Sequence, residues 1–255
     1  MLEQIARERI LLKQIREKCS KTSQPEVSII APTSKAKYMD NIFINYTRFN
    51  YPYRELIIIL NNNKLNIKDY KIKSEGLKGV QTFQLDERCT LGECLNFGIE
   101  QSKYNYISKM DDDDYYGENY LTDLMNVFKY TDAKVTGKTS RFIYFEYNNT
   151  LGIFSADYEN RYVPSNIAGG TLTFKKEIFE KVRFRHLKGA GTDTHFLRDC
   201  NNAKIKMFSA DKYNYVYMKH LSLDEHTWKI GSSELMKYYS KKFLVTPDFI
   251  PFVTV

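Results

Sequence analysis

Residues 106–114 read YISKMDDDD, a short apolar strand followed by four consecutive aspartates. Four neighbouring carboxylates repel one another unless a cation lies among them. Because alternate residues of an extended chain face the same way, we expect Asp111 and Asp113 to converge on one ligand and the other two aspartates to point elsewhere. Carboxylate oxygens suit Mg²⁺ or Mn²⁺, which proteins usually hold through one or two carboxylates together with substrate phosphates.

Two other interpretations fit the acidic stretch less well. An acidic turn on a solvated surface would explain the charge but not its position after a buried strand. An EF-hand loop that starts at Asp112 would have Tyr116 at its fifth position and Asp123 in place of the terminal glutamate. The segment upstream of such a loop is also a strand, whereas an EF-hand requires a helix there. A cation site at a strand end is therefore the preferred interpretation.

Short apolar strands alternate with helical segments around this stretch. We predict buried strands over Val27–Ala31, Glu55–Leu60 and Val80–Leu85, and helices over Ala36–Asn50 and Leu91–Ser102. This alternation predicts an α/β fold with a mostly parallel central sheet and helices on both faces. In such sheets ligands bind at the carboxyl ends of the strands, and the residues that follow these strands are polar.

The second half of the chain is less regular, and we interpret it as completing the same domain. The predicted domain covers residues 25–230, between an N-terminal helix and linker (residues 1–24) and a C-terminal helix and tail (residues 231–255). The strand predicted over Arg141–Tyr147 alternates as if one of its faces were exposed. Further helices are predicted over Gly117–Tyr130, Lys176–Lys181 and Thr192–Cys200, and further strands over Gly170–Phe174, Ile205–Ser209 and Tyr213–Met218.

The N-terminal segment Leu2–Lys18 is a helix candidate of mixed charge, and Ser20–Pro25 follows it as a linker. The helix is expected to pack on the domain or to pair with another chain in a homo-oligomer. Its acidic residues dilute the basic face that anionic lipid selects. Charged residues stand where a signal peptide has its apolar segment, and the longest apolar run, Leu56–Leu60, is far too short to span a bilayer. We therefore expect a cytoplasmic protein and leave peripheral membrane association open.

Composition excludes several classes of protein. Hydrophobic residues make up 42% of the 255 residues, which is enough for a sizeable core and argues against disorder. The four cysteines are scattered, so neither a disulfide scaffold nor a zinc ribbon is expected. The net charge of +7 suits nucleic acid, an anionic membrane or a phosphate-rich small molecule. No basic-aromatic motif stands out from the dispersed lysines, so nucleic-acid binding is not expected.

Five motifs, in order along the chain, resemble the landmarks of family 2 glycosyltransferases. The resemblance extends over residues 26–220 and implies a GT-A fold, a nucleotide-sugar donor, a divalent metal and, usually, inversion at the anomeric carbon. The motifs are Val27–Thr33 (VSIIAPT), Leu91–Ile99 (LGECLNFGI), Ile107–Tyr116 (ISKMDDDDYY), Gly169–Phe179 (GGTLTFKKEIF) and Gly191–Leu197 (GTDTHFL).

The resemblance also implies roles for residues at the strand ends. Pro32 and Thr33 would border the nucleoside, and Asp112 would belong to the same nucleotide-sugar site. Asp113 would be the principal metal ligand, and Asp111 would contact the ribose or the metal. The expected cofactor is Mn²⁺ or Mg²⁺.

The resemblance also bears on three residues further along the chain. Gly170 and His220 each have two possible roles, and His226 has an expected position. Gly170 would let a sugar approach the backbone closely, although a tight turn alone would also account for a glycine pair. His220 follows a predicted aromatic strand, where some relatives supply a further metal ligand. A structural role is the alternative, because imidazole is only a borderline ligand for Mg²⁺ or Mn²⁺. His226 is expected in a C-terminal loop that closes over the donor phosphates.

The chain departs from the family pattern at two positions. Asn62 lies where the family usually has an aspartate that reads the uracil edge, and an amide still pairs with uracil. Leu95 replaces an arginine often found before the asparagine of the Asn96 motif, so one cationic contact to the donor is missing.

Asp193 matches the carboxylate that serves as general base in the family. The chemistry needs such a group, because an acceptor hydroxyl is a poor nucleophile until its proton is removed. The pair Thr192-Asp193 replaces the commoner acidic-Asp pair but keeps the essential position. The alternative is that Asp193 caps the helix that follows, since aspartate is a favoured cap, and one residue could do both.

With the resemblance, the expected function is a metal-dependent inverting transfer of a sugar from a nucleotide diphosphate donor, UDP preferred, to an acceptor hydroxyl in cell-surface polysaccharide or glycoconjugate synthesis. Two alternatives stay open. A sugar-phosphate nucleotidyltransferase shares a related sheet and metal use, but normally has a Gly-rich loop after the first strand, and residues 32–37 contain no glycine. A binding module that has lost transfer would explain the departures at Asn62 and Leu95.

Overall fold

The part of the chain that the structure describes contains two β-sheets and eight α-helices. The structure is a computed structural model that describes residues 2–221 and 231–255. The helices are α1 (Leu2–Ser20), α2 (Met39–Arg48), α3 (Ile67–Lys73), α4 (Leu91–Gln101), α5 (Tyr120–Tyr130), α6 (Thr192–Asn202), α7 (Ser232–Tyr239) and α8 (Ile250–Val253). The strands are β1 (Val27–Thr33), β2 (Arg54–Leu60), β3 (Val80–Gln84), β4 (Tyr106–Lys109), β5 (Tyr115–Tyr116), β6 (Val135–Gly137), β7 (Arg141–Phe145), β8 (Thr150–Phe154), β9 (Arg161–Val163), β10 (Thr173–Lys175), β11 (Met207–Ser209), β12 (Tyr215–Lys219) and β13 (Ser240–Val245).

β1 lies in the parallel part of the larger sheet. It pairs in parallel with β2 on one side and with β4 on the other, and β3 pairs in parallel with β2. The full order is β3-β2-β1-β4-β10-β6-β11-β9, with β10 and β9 antiparallel to their neighbours. β1 and β2 are almost entirely buried, which explains their near-continuous apolar sequences. The predicted α/β fold with a mostly parallel central sheet is confirmed.

Helices cover both faces of this sheet, and the side chains of β1 and β2 alternate between the two faces. Ile29 and Leu56 pack with α2 and α5, whereas Ile30 and Ile57 pack with α4 and α6. Because successive strand residues point to opposite faces, a strand covered on both sides needs an apolar residue at nearly every position. The carboxyl ends of the parallel strands are then the place where polar residues can gather.

The sequence analysis does not foresee the second sheet, which has the order β13-β8-β7-β12-β5 and joins strands from four distant parts of the chain. It also predicts wrongly that one face of β7 is exposed. Phe142 and Tyr144 pack in a cluster that includes residues of α1, and Ile143 and Phe145 pack with Leu235 of α7. Both faces of β7 are therefore covered.

α1 packs against the rest of the protein. Ile5 and Leu12 are buried, and Arg16 forms a bidentate pair with Asp123 of α5 at 2.6 and 2.8 Å. Packing on the domain is one of the two predicted arrangements, and pairing with another chain stays a prediction. Within residues 2–221 and 231–255, no helix has both the length and the apolar content that a bilayer crossing requires.

Two predicted elements differ in the region that follows Ala168. The predicted strand over Gly170–Phe174 begins as a 3-10 turn at Gly169–Thr171, and only Thr173–Lys175 is a strand. The predicted helix over Lys176–Lys181 is a 3-10 helix at Lys176–Glu180. The tight turn brings two glycines against acidic side chains, which the following section describes.

The C-terminal residues 231–255 form α7, β13 and α8, so they contain a strand as well as helices. β13 pairs antiparallel with β8 and extends the second sheet. The predicted division of the chain at residues 24 and 230 stays a prediction.

Candidate functional site

A cleft of about 960 Å³ opens at the carboxyl ends of β1, β2 and β4. Seven of the nine predicted site residues line it, whereas Asn62 and His220 do not belong to its wall. The seven are Pro32, Thr33, Asp111, Asp112, Asp113, Gly170 and Asp193.

The aspartate stretch bends away from β4 instead of continuing it as a strand. The expected alternation therefore does not hold, because it requires an extended chain. Asp112 lines the cleft beside Asp111 and Asp113, and accepts a 2.5 Å hydrogen bond from Thr33 Oγ1. The expectation that Asp112 points away from its neighbours is wrong, whereas its placement in the donor site agrees with its position in the cleft wall.

Asp114 turns into the core and anchors the stretch. Tyr215 OH and the backbone N–H of Met218 donate to its carboxylate at 2.6 and 2.9 Å. The side chains of Asn41 and Asn45 each donate to its backbone carbonyl at 2.9 Å. A segment held by four such contacts is not a solvated surface turn, so that interpretation is excluded.

The clustered carboxylates change one another's proton affinity. Burial and the neighbouring Asp113 raise the pKa of Asp112 to about 7, although the Thr33 hydroxyl acts in the opposite direction. Burial and Asp111 raise the pKa of Asp113 to about 6, against the influence of His220. The protein groups alone therefore provide too little positive charge for all of these carboxylates, and a bound cation would supply it.

The residues present fit a divalent cation that is shared with a ligand. His220 Nε2 lies 4.0 Å from Asp113 Oδ2, and His220 Nδ1 lies 3.1 Å from Glu146 Oε1. A carboxylate beside the second ring nitrogen is the usual partner of a metal-binding imidazole. In the described part of the chain, no three His, Cys, Asp or Glu side chains form a complete metal cage. Mg²⁺ that is held by carboxylates together with substrate phosphates needs no such cage.

Asp193 lies in the first turn of α6 and lines the cleft. Gly191, with φ 102°, is the residue that caps α6, and no side chain makes a capping hydrogen bond, so Asp193 is not the cap. Asp193 Oδ2 lies 3.4 Å from Lys109 Nζ, whereas Oδ1 is buried without a hydrogen-bond partner among the described residues. Burial raises the pKa of Asp193, and the Lys109 ammonium partly offsets this effect. A carboxylate with one oxygen held and the other unengaged is suited to accept a proton.

Lys109 is a site residue that the sequence analysis misses. Its Nζ lies 2.5 Å from Asp111 Oδ1, and its side chain is only 3% exposed. Burial alone would lower the pKa of Lys109, but Asp111 and Asp193 outweigh burial and the pKa is raised. The signal in the sequence was a lysine inside a strand that is otherwise buried, because lysine is rarely buried without a charged partner.

Gly169 and Gly170 leave room for the acidic side chains. A Cβ on Gly169 would lie 2.0 Å from Asp193 Oδ2, and a Cβ on Gly170 would lie 2.6 Å from Asp111 Oδ2. Tyr116 OH joins the same segments, since it donates to Gly170 O at 2.7 Å and accepts from the backbone N–H of Asp111 at 2.8 Å. The glycine pair therefore serves the close approach of two carboxylates, and the approach of a sugar to Gly170 stays a prediction.

The two departures from the family pattern lie away from the centre of the cleft. Asn62 donates to Ser34 O at 2.9 Å and accepts a backbone N–H through its Oδ1, so both ends of the amide are engaged, and Asn61 lines the cleft instead. Leu95, on α4, is 1% exposed and packs in the core, where an arginine would be costly to bury. The loop predicted around His226 lies outside the described residues.

Residues 36–198 match the family model described as glycosyl transferase family 2, which is more than half of the chain. This chain belongs to glycosyl transferase family 2. The sequence-based family assignment is confirmed. A search of curated protein sequences finds no match.

Solved glycosyltransferase structures share the fold of this family 2 chain. TarS residues 1–349 from S. aureus have 15% identity and a TM-score of 0.60, over 76% of this chain and 60% of that chain. TarS 1–349 in complex with UDP-GlcNAc has 15% identity and a TM-score of 0.57, over 89% and 64%. The mannosyltransferase PcManGT from Pyrobaculum calidifontis, in complex with GDP-Man and Mn2+, has 14% identity and a TM-score of 0.57, over 79% and 58%. The likeness shows a GT-A fold, and the family 2 chain spans about three-fifths of the length of these relatives.

Proposed function

We propose that this enzyme transfers a sugar from a nucleotide diphosphate donor, UDP-linked, to an acceptor hydroxyl with inversion at the anomeric carbon. One observation carries the proposal: Asp111–Asp113 and Asp193 line the same cleft, and Lys109 contacts both Asp111 and Asp193. Such an arrangement suits a cation-bound diphosphate and a base that act on one substrate complex. TarS with UDP-GlcNAc and PcManGT with GDP-Man and Mn2+ are proteins of similar fold, which supports a donor of this class.

In this proposal the donor is bound by residues at the end of β1 and after β4. In the proposal, Pro32 and Thr33 border the nucleoside, and Asp113 and Asp111, with His220, hold Mn²⁺ or Mg²⁺ on the diphosphate. When bound, this ion offsets the negative charge that develops on the departing diphosphate. The raised pKa of Asp113, which reflects burial and the nearby Asp111, supports a cation at this position.

Asp193 acts as the general base of the transfer. Its Oδ1 accepts the proton of the acceptor hydroxyl as the acceptor oxygen bonds to the anomeric carbon. The bond between that carbon and the diphosphate oxygen breaks on the opposite face, so the configuration inverts. Lys109 holds Asp193 Oδ2 at 3.4 Å, which leaves Oδ1 for the proton. The proposal places this reaction in cell-surface polysaccharide or glycoconjugate synthesis in the cytoplasm, with an acceptor of that kind. Peripheral membrane association stays a prediction.

A thermal-shift screen of nucleotide sugars, with and without Mn²⁺, tests the donor class. We expect a UDP-sugar to raise the melting temperature, and to raise it more when Mn²⁺ is present, because the ion joins the diphosphate to the aspartates. A screen in which no nucleotide sugar raises the melting temperature would contradict the proposal. Release of pyrophosphate from a nucleoside triphosphate would favour the nucleotidyltransferase alternative instead.

The variant Asp193→Asn tests the role of the base. UDP release from the donor, measured with a panel of glycan acceptors, should fall at least about 10²-fold, because general bases contribute 10²–10⁴-fold to rates. UDP binding should persist. Asp199→Asn, on the same helix but paired with Arg185, is the matched control and should leave the rate unchanged. Turnover retained in Asp193→Asn would remove the base assignment.

A further inference from the structure

Arg141 lies in the wall of the cleft away from the residues proposed to border the nucleoside. In the larger sheet, β1 with Pro32 and Thr33 lies on one side of β4, and β10 and β6 lie on the other side. Arg141 follows the end of β6 by four residues and lines the cleft with Phe154 and Tyr158. The aspartates that follow β4 therefore separate a nucleoside side of the cleft from an Arg141 side.

The Arg141 guanidinium is a positive charge without a carboxylate partner in the described part of the chain. Its Nη1 donates to Thr139 O at 3.0 Å, and no carboxylate oxygen of those residues lies within 4.0 Å of it. Buried Lys138 differs, because Asp211 lies 3.2 Å from its Nζ. Burial lowers the pKa of Arg141, but an arginine stays protonated in proteins. The wall thus holds a cation that forms no ion pair with the described residues, although the Asp114 carboxylate acts on it electrostatically from a longer distance.

The surroundings of Arg141 hold the guanidinium in one place. It stacks on Phe154 at 4.0 Å from the ring centroid, and the two residues are paired across β7 and β8. Ser140 Oγ donates to Ser155 O at 2.6 Å and accepts from the backbone N–H of Tyr158 at 2.9 Å, which fixes the loop after β8. Ser155 has φ 48°, a left-handed conformation that non-glycine residues rarely adopt outside constrained, often functional, sites.

We propose that Arg141 forms an acceptor subsite for a glycan that carries a phosphate or a carboxylate near the accepting hydroxyl. This inference rests on the proposed function, because it assumes a donor diphosphate at the aspartates. The planar guanidinium presents paired N–H groups that match two oxygens of either anion. Tyr158, which is 51% exposed and lines the same cleft, offers an aromatic ring for a sugar, and the Arg161 guanidinium lies 5.8 Å from the centroid of that ring.

The position of Arg141 favours the acceptor over the donor. A cation at Asp111–Asp113 would offset the charge of the donor diphosphate. The Arg141 guanidinium is then available to bind the acceptor, which is the second substrate. Asp193, the proposed base, lines the same cleft as Arg141. An acceptor anchored at Arg141 would thus present its hydroxyl within the cleft that contains the base.

Calorimetric titration of three simple sugars into the full chain with UDP and Mn²⁺ tests this subsite. The probes are glucose 6-phosphate, glucuronate and glucose. At least one anionic sugar should bind about ten-fold or more tightly than glucose, because a charge-assisted pair adds that much, and the tighter anion identifies the charged group. Arg141→Gln should bring the anionic sugars to the affinity of glucose, and Arg141→Lys should keep part of the difference.

Three controls separate the possible failures. Arg7→Gln, an exposed site on α1, should change no affinity. If Arg141→Gln does not fold, two other measurements still test whether Arg141 binds the anionic group. They are the salt dependence of anionic-sugar binding to the wild type and the titration of Arg141→Lys. Anionic sugars that bind no more tightly than glucose, or a loss of UDP affinity without loss of sugar affinity in Arg141→Gln, would overturn the subsite. A wild type that does not bind UDP would instead contradict the proposed function.

Discussion

Gly169 and Asp193 lie so close together that a Cβ on the glycine would be 2.0 Å from Asp193 Oδ2. Gly169→Ala should therefore push the proposed base out of position. A displacement of about 1 Å costs on the order of 10²-fold in rate when a catalytic group is involved, and we expect a loss of that size in donor turnover with UDP affinity preserved. Steady-state kinetics and calorimetry measure the two effects.

Gly231→Ala is the matched control for this change, because a Cβ at Gly231 meets no atom of the described residues within 4 Å. It should leave turnover unchanged. Full activity of Gly169→Ala, with a folded protein, would show that the contact between Gly169 and Asp193 does not position the base.

The pH dependence of turnover should reveal Asp193. A general base works only when it is deprotonated, so activity is lost as the pH falls through its pKa. Burial raises the pKa of Asp193, with Lys109 acting against it, so the acid limb of kcat/KM should lie above the usual carboxyl range near pH 4. An acid limb within or below that usual range would contradict the assignment.

Lys109→Met removes the ammonium group that contacts Asp111 and Asp193. Because this group lowers the pKa of Asp193, its loss should move the acid limb of kcat/KM to higher pH and reduce the rate at neutral pH. Lys109→Arg, which keeps the charge, should restore part of the shift, and the exposed Lys103→Met is the control. An acid limb that stays in place in Lys109→Met would assign Lys109 a role in packing alone.

Arg16→Met should destabilise the protein by about 3–5 kcal/mol, the typical effect of removing one partner of a buried ion pair. The side chain of Asp123 is 3% exposed, and Arg16 contacts both of its oxygens. Urea unfolding measures the free energy, and Lys13→Met, on the exposed side of α1, is the control. Adding Asp123→Asn should recover part of the loss. An effect below about 1 kcal/mol, the range of surface pairs, would mean that the pair is solvated.

The sequence predicts the parallel half of the larger sheet well, because β1 and β2 need apolar residues on both faces and therefore give long apolar runs. It does not predict the second sheet, because β13 and β8 lie far apart in the chain and each shows little pattern alone. α3 was also not predicted, since Tyr70 is the only buried residue among its seven. Elements whose stability depends on distant partners leave only a weak local signal.

The candidate site shows the same division. Asp111–Asp113 could be found from residue type and position, since carboxylates after a buried strand are unusual. Asp193 could be found only from its match to the general base of the family. Arg141 could not, because it lies at the start of a strand whose surroundings come from distant parts of the chain. Lys109 gives only a weak signal, a lysine inside an otherwise buried strand, because its partner Asp193 is far away in the sequence. The bend after β4 that turns Asp112 into the cleft likewise depends on a distant part of the chain, because Asn41 of α2 donates a hydrogen bond to Asp112 O.

Anomalous diffraction at the manganese edge from crystals grown with UDP and Mn²⁺ tests the central claim most directly. The account predicts one manganese peak in the cleft, in contact with Asp113 and with the diphosphate, and on the same side of β4 as Asp193. A cleft without manganese or UDP, or a manganese peak elsewhere on the protein, would contradict it.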